Sequence, residues 1–324
     1  MHQLEFTHKM ERADCLVVCD VTHPHLREVR DMIEANIAIG QTLITTNGAF
    51  LIPRLWVSQE IENIPPGKIA LLGYKEELLF HLLQIRDVVV ICDNPLEASH
   101  QFACKKALLE GIFLAKELTN APANQMTPAI FARRCLELQK WGIAVEILPP
   151  TPLLQAVGKG SSNPPQLVVM QLNKGKEPIA LVGKGVCYDA GGIALKREFL
   201  SQMKWDKAGA AAVVGTMKTL ALQKCPQHVV AVVALAENMP DGAALKPGDV
   251  IRSLSGKTVE VIDPDGEGRL ILADSITYVQ ERFQPKIVID LATLTLETFG
   301  ALAGEFGGLF CNDRELAQKL IQSG

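Results

Sequence analysis

Short runs dominated by Val, Ile, Leu and Ala recur through the second half of the chain, at residues 167–172, 179–186, 229–236, 259–262 and 287–290. Helix-length segments lie among them at 208–222, 269–283 and 314–322. Strands covered on both faces read as continuous apolar runs, so this alternation confines the chain to the α/β class. The first half alternates in the same way. Strand-like runs fall at 14–20, 68–73 and 87–92, an amphipathic helix is expected at 25–39 and another helix at 76–85. Such alternation predicts a largely parallel sheet. A long helical pattern at 98–118, interrupted only by Gly111, ends at the breaker Asn120-Ala121-Pro122-Ala123-Asn124. The expected organisation is therefore two domains, a smaller N-terminal α/β domain at 1–95 and a larger α/β domain at 96–324 that opens with this connecting helix. Ser255-Gly256 reads as a hairpin turn, and Pro149-Pro150-Thr151-Pro152 as a short stiff loop.

Composition narrows the function. The 324 residues carry 32 Lys and Arg against 36 Asp and Glu, a net charge of -4. Without a basic excess there is nothing to grip a phosphate backbone, which argues against nucleic acid as a partner. No apolar run approaches the ~18 residues of a membrane helix, and the first twenty residues do not read as a secretory signal. The eight cysteines are dispersed, with no CxxC pair, and most sit in apolar runs. They read as reduced core residues of a cytoplasmic protein rather than a disulfide framework.

Several catalytic patterns are missing. There is no GxSxG elbow and no HExxH helix, and of the seven histidines only His228 lies beyond residue 100. Gly158-Lys159-Gly160-Ser161 and Gly183-Lys184-Gly185 lack the spacing of a phosphate loop or a dinucleotide fingerprint. What remains is a set of charged residues next to glycine at the ends of apolar runs. Lys184 and Asp189 are five apart, so a regular strand sends them to opposite faces. They can share a site only if the chain bulges between them. Lys196 follows the pair Gly191-Gly192. Asp206 precedes an Ala-rich helix, where it reads either as an N-cap or as a carboxylate beside a cation. In Asp263-Pro264-Asp265-Gly266-Glu267-Gly268-Arg269, an extended backbone puts Asp265, Glu267 and Arg269 on one face; the competing reading is an acidic turn leading into a helix. Gathered together, Asp189, Asp206, Asp265 and Glu267 repel one another unless neutralised, and two divalent cations would do that. Lys184 could ligate one of them only after losing its proton.

An ordered series of motifs carries a resemblance. Glu117-Leu118-Thr119-Asn120-Ala121-Pro122-Ala123-Asn124 is followed by Thr127-Pro128, Val182 to Gly185, Asp189 to Gly192 and Met203 to Ala211. Glu237-Asn238-Met239-Pro240, Asp265 to Leu270 and Ala292 to Thr295 complete it. From about residue 114 onward the chain resembles the leucyl aminopeptidases (cytosol aminopeptidases) of the M17 peptidase family. The resemblance implies a catalytic domain with a mixed central sheet flanked by helices. It implies a hydrolase that uses two Mn2+ or Zn2+ ions to release N-terminal residues, Leu-like ones by preference, from peptides. Asp189 and Glu267 would then bridge the metals, Asp265 would complete one site, and Lys184 and Asp206 the other. Lys196 would polarise the scissile carbonyl, and Arg269 would hold a bicarbonate that serves as general base. Met203, Thr293 and Leu294 would contact substrate. A cytoplasmic homohexamer is implied as well. The chain departs from the family pattern at Asp263, Pro264 and Gly266, at Lys207 where Met is usual, and at Leu296 where Gly is usual. Family members also continue beyond the position of Gly324. These departures motivate a second expectation, a catalytically weak or inactive relative with a binding or architectural role.

Overall fold

The computed structural model describes residues 4–7, 15–18, 43–44, 49–51, 69–72, 88–91, 95–302 and 306–323. Strands β1 (Leu4–Thr7), β2 (Cys15–Val18), β3 (Leu43–Ile44), β4 (Ala49–Leu51), β5 (Ile69–Leu72) and β6 (Val88–Ile91) form one sheet in the order β1-β6-β5-β2-β4-β3. The helices expected at 25–39 and 76–85 lie outside the described residues.

Helix α1 (Pro95–Asn120) runs unbroken through Gly111. It is followed by α2 (Pro128–Leu136), β7 (Ala144–Leu148), α3 (Pro152–Val157), β8 (Gln166–Leu172) and β9 (Ile179–Asp189). Then come α4 (Ala208–Leu222), β10 (Val229–Asn238), the hairpin β11 (Val250–Arg252) and β12 (Thr258–Glu260), α5 (Glu267–Phe283) and β13 (Ile287–Leu291). Two helices, α6 (Leu296–Leu302) and α7 (Arg314–Ser323), close the described chain. The larger sheet has the order β13-β9-β10-β8-β7. It is mixed: β9 pairs parallel with β10 and β13, while β8 pairs antiparallel with β10 and β7.

Every residue of β10 is buried, so its odd and even side chains supply two cores. Val229, Ala231, Val233 and Leu235 pack with Leu118 of α1, Phe131 of α2 and Val213 of α4. Val230, Val232, Ala234 and Ala236 pack with Leu153 of α3 and Ile271 of α5. The sheet is thus sandwiched between α1, α2 and α4 on one side and α3 and α5 on the other, as two-face burial requires.

Glycine permits two close approaches. A Cβ on Gly215 would stand 2.5 Å from the Gly111 carbonyl oxygen, so α1 and α4 cross almost backbone to backbone. A Cβ on Gly209 would stand 2.1 Å from the Leu291 carbonyl oxygen, which lets the start of α4 lie flush against the end of β13. The stretch read as a stiff loop differs from expectation: Pro152 occupies the first turn of α3, where its missing N–H costs nothing. Asp274 of α5, fully buried, caps that helix from a distance. Its Oδ2 accepts from Leu153 N at 2.8 Å and its Oδ1 from Leu254 N at 2.8 Å.

Candidate metal centre

The parallel strands β9, β10 and β13 end at one edge of the larger sheet, and α4 and α5 begin there. Ligands of α/β sheets bind beyond such carboxyl ends. Asp189 is the last residue of β9, and Thr293 lies just past β13. The register explains how Lys184 and Asp189 come to share a face. Ala236 pairs with Val186 but Glu237 pairs with Tyr188, so Cys187 is an extra residue in β9. Lys184 lies opposite Ala234 and Asp189 opposite Asn238, four apart on β10, which restores a common face. The bulged Cys187 turns instead into the α1–α2–α4 core, where burial pushes its thiol far above the usual cysteine range.

Lys184 is 2% exposed and its Nζ meets three oxygens. Asp206 Oδ1 lies at 2.7 Å, Glu267 Oε1 at 2.8 Å and the Thr293 carbonyl at 2.6 Å. Burial opposes its charge, yet Asp206 and Glu267 prevail and hold its pKa above the usual lysine range. The Thr293 hydroxyl donates to Asp206 Oδ1 at 2.7 Å. Gly268 makes this packing possible, because a Cβ there would sit 2.8 Å from Lys184 Cε and 2.9 Å from Nζ.

A second lysine serves the outer side. Lys196 Nζ lies 2.9 Å from Asp189 Oδ2 and also binds Asp265. Burial works against its charge too, but hydrogen bonds to Asp265 and Asp189 raise its pKa. The Lys196 amide donates to the Ala190 carbonyl at 3.0 Å, which folds the Gly191-Gly192 loop back onto the strand end. Both glycines require positive φ, +83° and +61°.

One lysine cannot neutralise the buried acids it faces. Burial raises the pKa of Asp206 well above the usual carboxylate value, and Glu267 is raised by burial and by the Asp189 charge. Asp265 is raised by burial as well, with Asp189 adding to it. Asp206 Oδ2 and Glu267 Oε2 are buried without a hydrogen-bond partner among the described residues. Ligand oxygens of Asp189, Asp206 and Glu267 lie within 4.8 Å of one another. Buried carboxylate oxygens with no donor are costly unless a cation satisfies them, so this donor set fits divalent metal. Hard oxygen ligands with one amine suit zinc, manganese or magnesium.

Two expectations about local structure are corrected. The segment from Asp263 to Arg269 is not extended. Residues Pro264–Gly266 form a 3-10 turn and α5 starts at Glu267, because Asp263 accepts from the Asp265 amide at 2.9 Å and Pro264 fixes the first helical φ. A two-residue step then rotates about 200° around the helix rather than returning to one face. Glu267 is accordingly buried, and Arg269 is exposed with no hydrogen bond or ion pair among the described residues. Asp206 does not cap α4 either. It sits in the 3-10 stretch Leu200–Lys207, Lys207 holds the cap position without a side-chain bond, and the Asp206 carboxylate faces Lys184. Met203 lies half-buried in the same stretch, while Thr293 and Leu294 are exposed. A Cβ on Gly268 would lie 2.9 Å from Leu294 Cδ2, which places that side chain beside Lys184.

Other features were not legible as site residues. Lys207 is fully buried, its ammonium donates to the carbonyls of Ala121 and Lys204, and burial pushes its pKa down to about 8. Asn238 Nδ2 donates to Asp189 Oδ1 at 2.9 Å and to the Pro264 carbonyl at 3.1 Å. An amide two residues past the apolar run 229–236 carries no signal of that role in its spacing. The Gly158-to-Ser161 loop is committed elsewhere, since Ser161 Oγ and Asn163 Nδ2 both donate to Glu237, at 2.6 Å and 3.0 Å.

Known proteins are similar to this chain in sequence and in fold. Residues 113–324 match the model of the cytosol aminopeptidase family, catalytic domain. The chain is 45% identical over 248 residues to a probable cytosol aminopeptidase of Sinorhizobium fredii, covering 73% of this chain and 50% of that protein. It is 44% identical over 252 residues to a cytosol aminopeptidase of Rickettsia prowazekii, with 74% and 50% covered. The chain thus spans about half the length of the curated relatives it matches. Among solved structures, a bottromycin maturation enzyme in complex with Mn is 28% identical with a TM-score of 0.79, covering 96% of this chain and 79% of that one. A leucine aminopeptidase of Caenorhabditis elegans is 25% identical with a TM-score of 0.81, covering 99% and 80%.

Proposed function

Because the chain belongs to the cytosol aminopeptidase family, we propose that it is a metal-dependent aminopeptidase that removes the N-terminal residue from peptides, preferring Leu-like residues. The observation that carries this reading is the buried acid cluster of Asp189, Asp206 and Glu267, with carboxylate oxygens that no protein donor satisfies. Asp189, Asp206, Asp265, Glu267 and Lys184 would hold a pair of divalent ions, Mn2+ or Zn2+. A bound pair of such ions supplies an activated water and polarises the scissile carbonyl.

The chain's own residues do the rest. Lys196 reaches the mouth of the site with one ammonium, 20% exposed, and can meet negative charge developing on the substrate carbonyl oxygen. Arg269, exposed at the first turn of α5, is free to hold a small anion such as bicarbonate as general base. The Thr293 hydroxyl and carbonyl fix Asp206 and Lys184. Half-buried Met203 and exposed Leu294 offer an apolar wall to the substrate side chain. The division into an N-terminal domain at 1–95 and a catalytic domain at 96–324, the homohexamer and the cytoplasmic location are proposed on the family likeness.

Hydrolysis of leucine p-nitroanilide with added Mn2+ tests the reading. The expected result is metal-dependent turnover that is abolished by chelator and reduced at least ~100-fold in Lys196→Ala. Turnover no greater than that of Lys196→Ala, with metal bound, rejects it in favour of a non-catalytic relative.

A further inference from the structure

We propose that Asn238 is a positioning residue of the metal centre: it fixes the Asp189 carboxylate and the turn that carries Asp265 and Glu267 at one spacing. The inference rests on the metal-dependent reading above.

Asn238 is 3% exposed and ends β10, beside Asp189 in the register. Its two amide hydrogens go to different elements. One serves Asp189 Oδ1 on β9 and the other the Pro264 carbonyl in the turn before α5. No other side chain among the described residues hydrogen-bonds both. Asp189 Oδ1 also accepts from the Gly191 amide at 2.9 Å, so that oxygen has two donors. Oδ2 receives neither and is the oxygen turned toward Lys196. The Asn238 amide therefore sets which edge of the carboxylate is presented.

Its own placement is tightly determined. The Asn238 carbonyl accepts from the Ala190 amide at 2.9 Å, extending the β9–β10 ladder past the bulge. A Cβ on Gly192 would stand 2.9 Å from Asn238 Oδ1, so glycine at that position keeps the amide seated. The next residue back, Glu237, is clamped from the other face by Ser161 and Asn163. Partners that orient metal ligands change affinity or activity roughly 10–100-fold when removed.

The test uses Asn238→Leu, which keeps the branching and heavy-atom count and removes both donors, and Asn238→Ser, which cannot span both acceptors. Mn2+ affinity is measured by calorimetric titration, and thermal unfolding in chelator reports the fold. Asp274→Asn serves as a control, since it disturbs the buried cap on Leu153 and Leu254 and touches no residue of the centre. The expected result is Mn2+ binding weakened roughly 10–100-fold in both Asn238 variants. Asp274→Asn should lower the unfolding temperature and bind Mn2+ as the unaltered chain does. Folded Asn238 variants with unchanged Mn2+ affinity overturn the inference while leaving the metal centre intact. So does failure of both variants to fold, which makes Asn238 a residue of the fold alone. An unaltered chain that binds no Mn2+ sinks the functional reading instead.

Discussion

Lys184 carries a single charge between Asp206, whose side chain is 11% exposed, and the buried Glu267. Removing one partner of a buried ion pair leaves an uncompensated charge, which costs about 3–5 kcal/mol. Lys184→Met should therefore destabilise the metal-free protein by roughly that amount, read from urea unfolding in chelator. A loss below about 1 kcal/mol would mean that the lysine is not buried against these acids. The acids give a pH dependence with a definite sign. Asp206, Asp265 and Glu267 have folded-state pKa values raised by burial, so the folded chain binds protons more tightly than the unfolded one. Stability then falls as pH rises from about 4, the unfolded carboxylate value, through the raised folded values. In chelator the unfolding temperature should be higher at pH 5 than at pH 7. Lys207, lowered to about 8, is protonated in both states across that window and does not change the sign. An unfolding temperature that rises over the same interval contradicts the burial of these acids.

At the scale of elements, β9, β10 and α4 were legible because their apolar runs end abruptly in glycine and charge. The five-residue separation of Lys184 and Asp189 demanded a bulge, and the register supplies one at Cys187. At one stretch local capping outweighs pattern. Alternating glycines from Asp265 to Arg269 suggested an extended strand, but Asp263 and Pro264 start a helix there. The short helix α3 was hidden because Pro152 reads as a loop breaker and opens a helix instead. The caps and contacts of the site were hidden for another reason: Asn238 and the Thr293 carbonyl act through tertiary placement that no spacing encodes. The crossing of α1 and α4 makes its own prediction. In Gly215→Ala the new Cβ would press on the Gly111 backbone at 2.5 Å, and backbone cannot swing aside as a long side chain can. Overpacking of this kind costs about 1–3 kcal/mol, to be read as a lower urea midpoint with an unchanged slope. A neutral outcome would show that the helices separate freely.

For the whole molecule, the two faces of the larger sheet are covered by helices, and the acid cluster at its strand ends is a local cost that a bound cation offsets. A ligand that binds only the folded state adds stability by mass action, about 2.7 kcal/mol at a hundredfold excess over its dissociation constant. Mn2+ should therefore raise the unfolding temperature at pH 7, and the rise should shrink at pH 5 as protons compete for the same carboxylates. Equal shifts at both pH values would place the ion elsewhere. The central claim is that Asp189, Asp206 and Glu267 surround a metal. Anomalous diffraction at the manganese edge, from crystals of the chain soaked in Mn2+, tests it most directly. The account predicts strong density bounded by those three carboxylates; saturating Mn2+ with density only on other surface acids would contradict it.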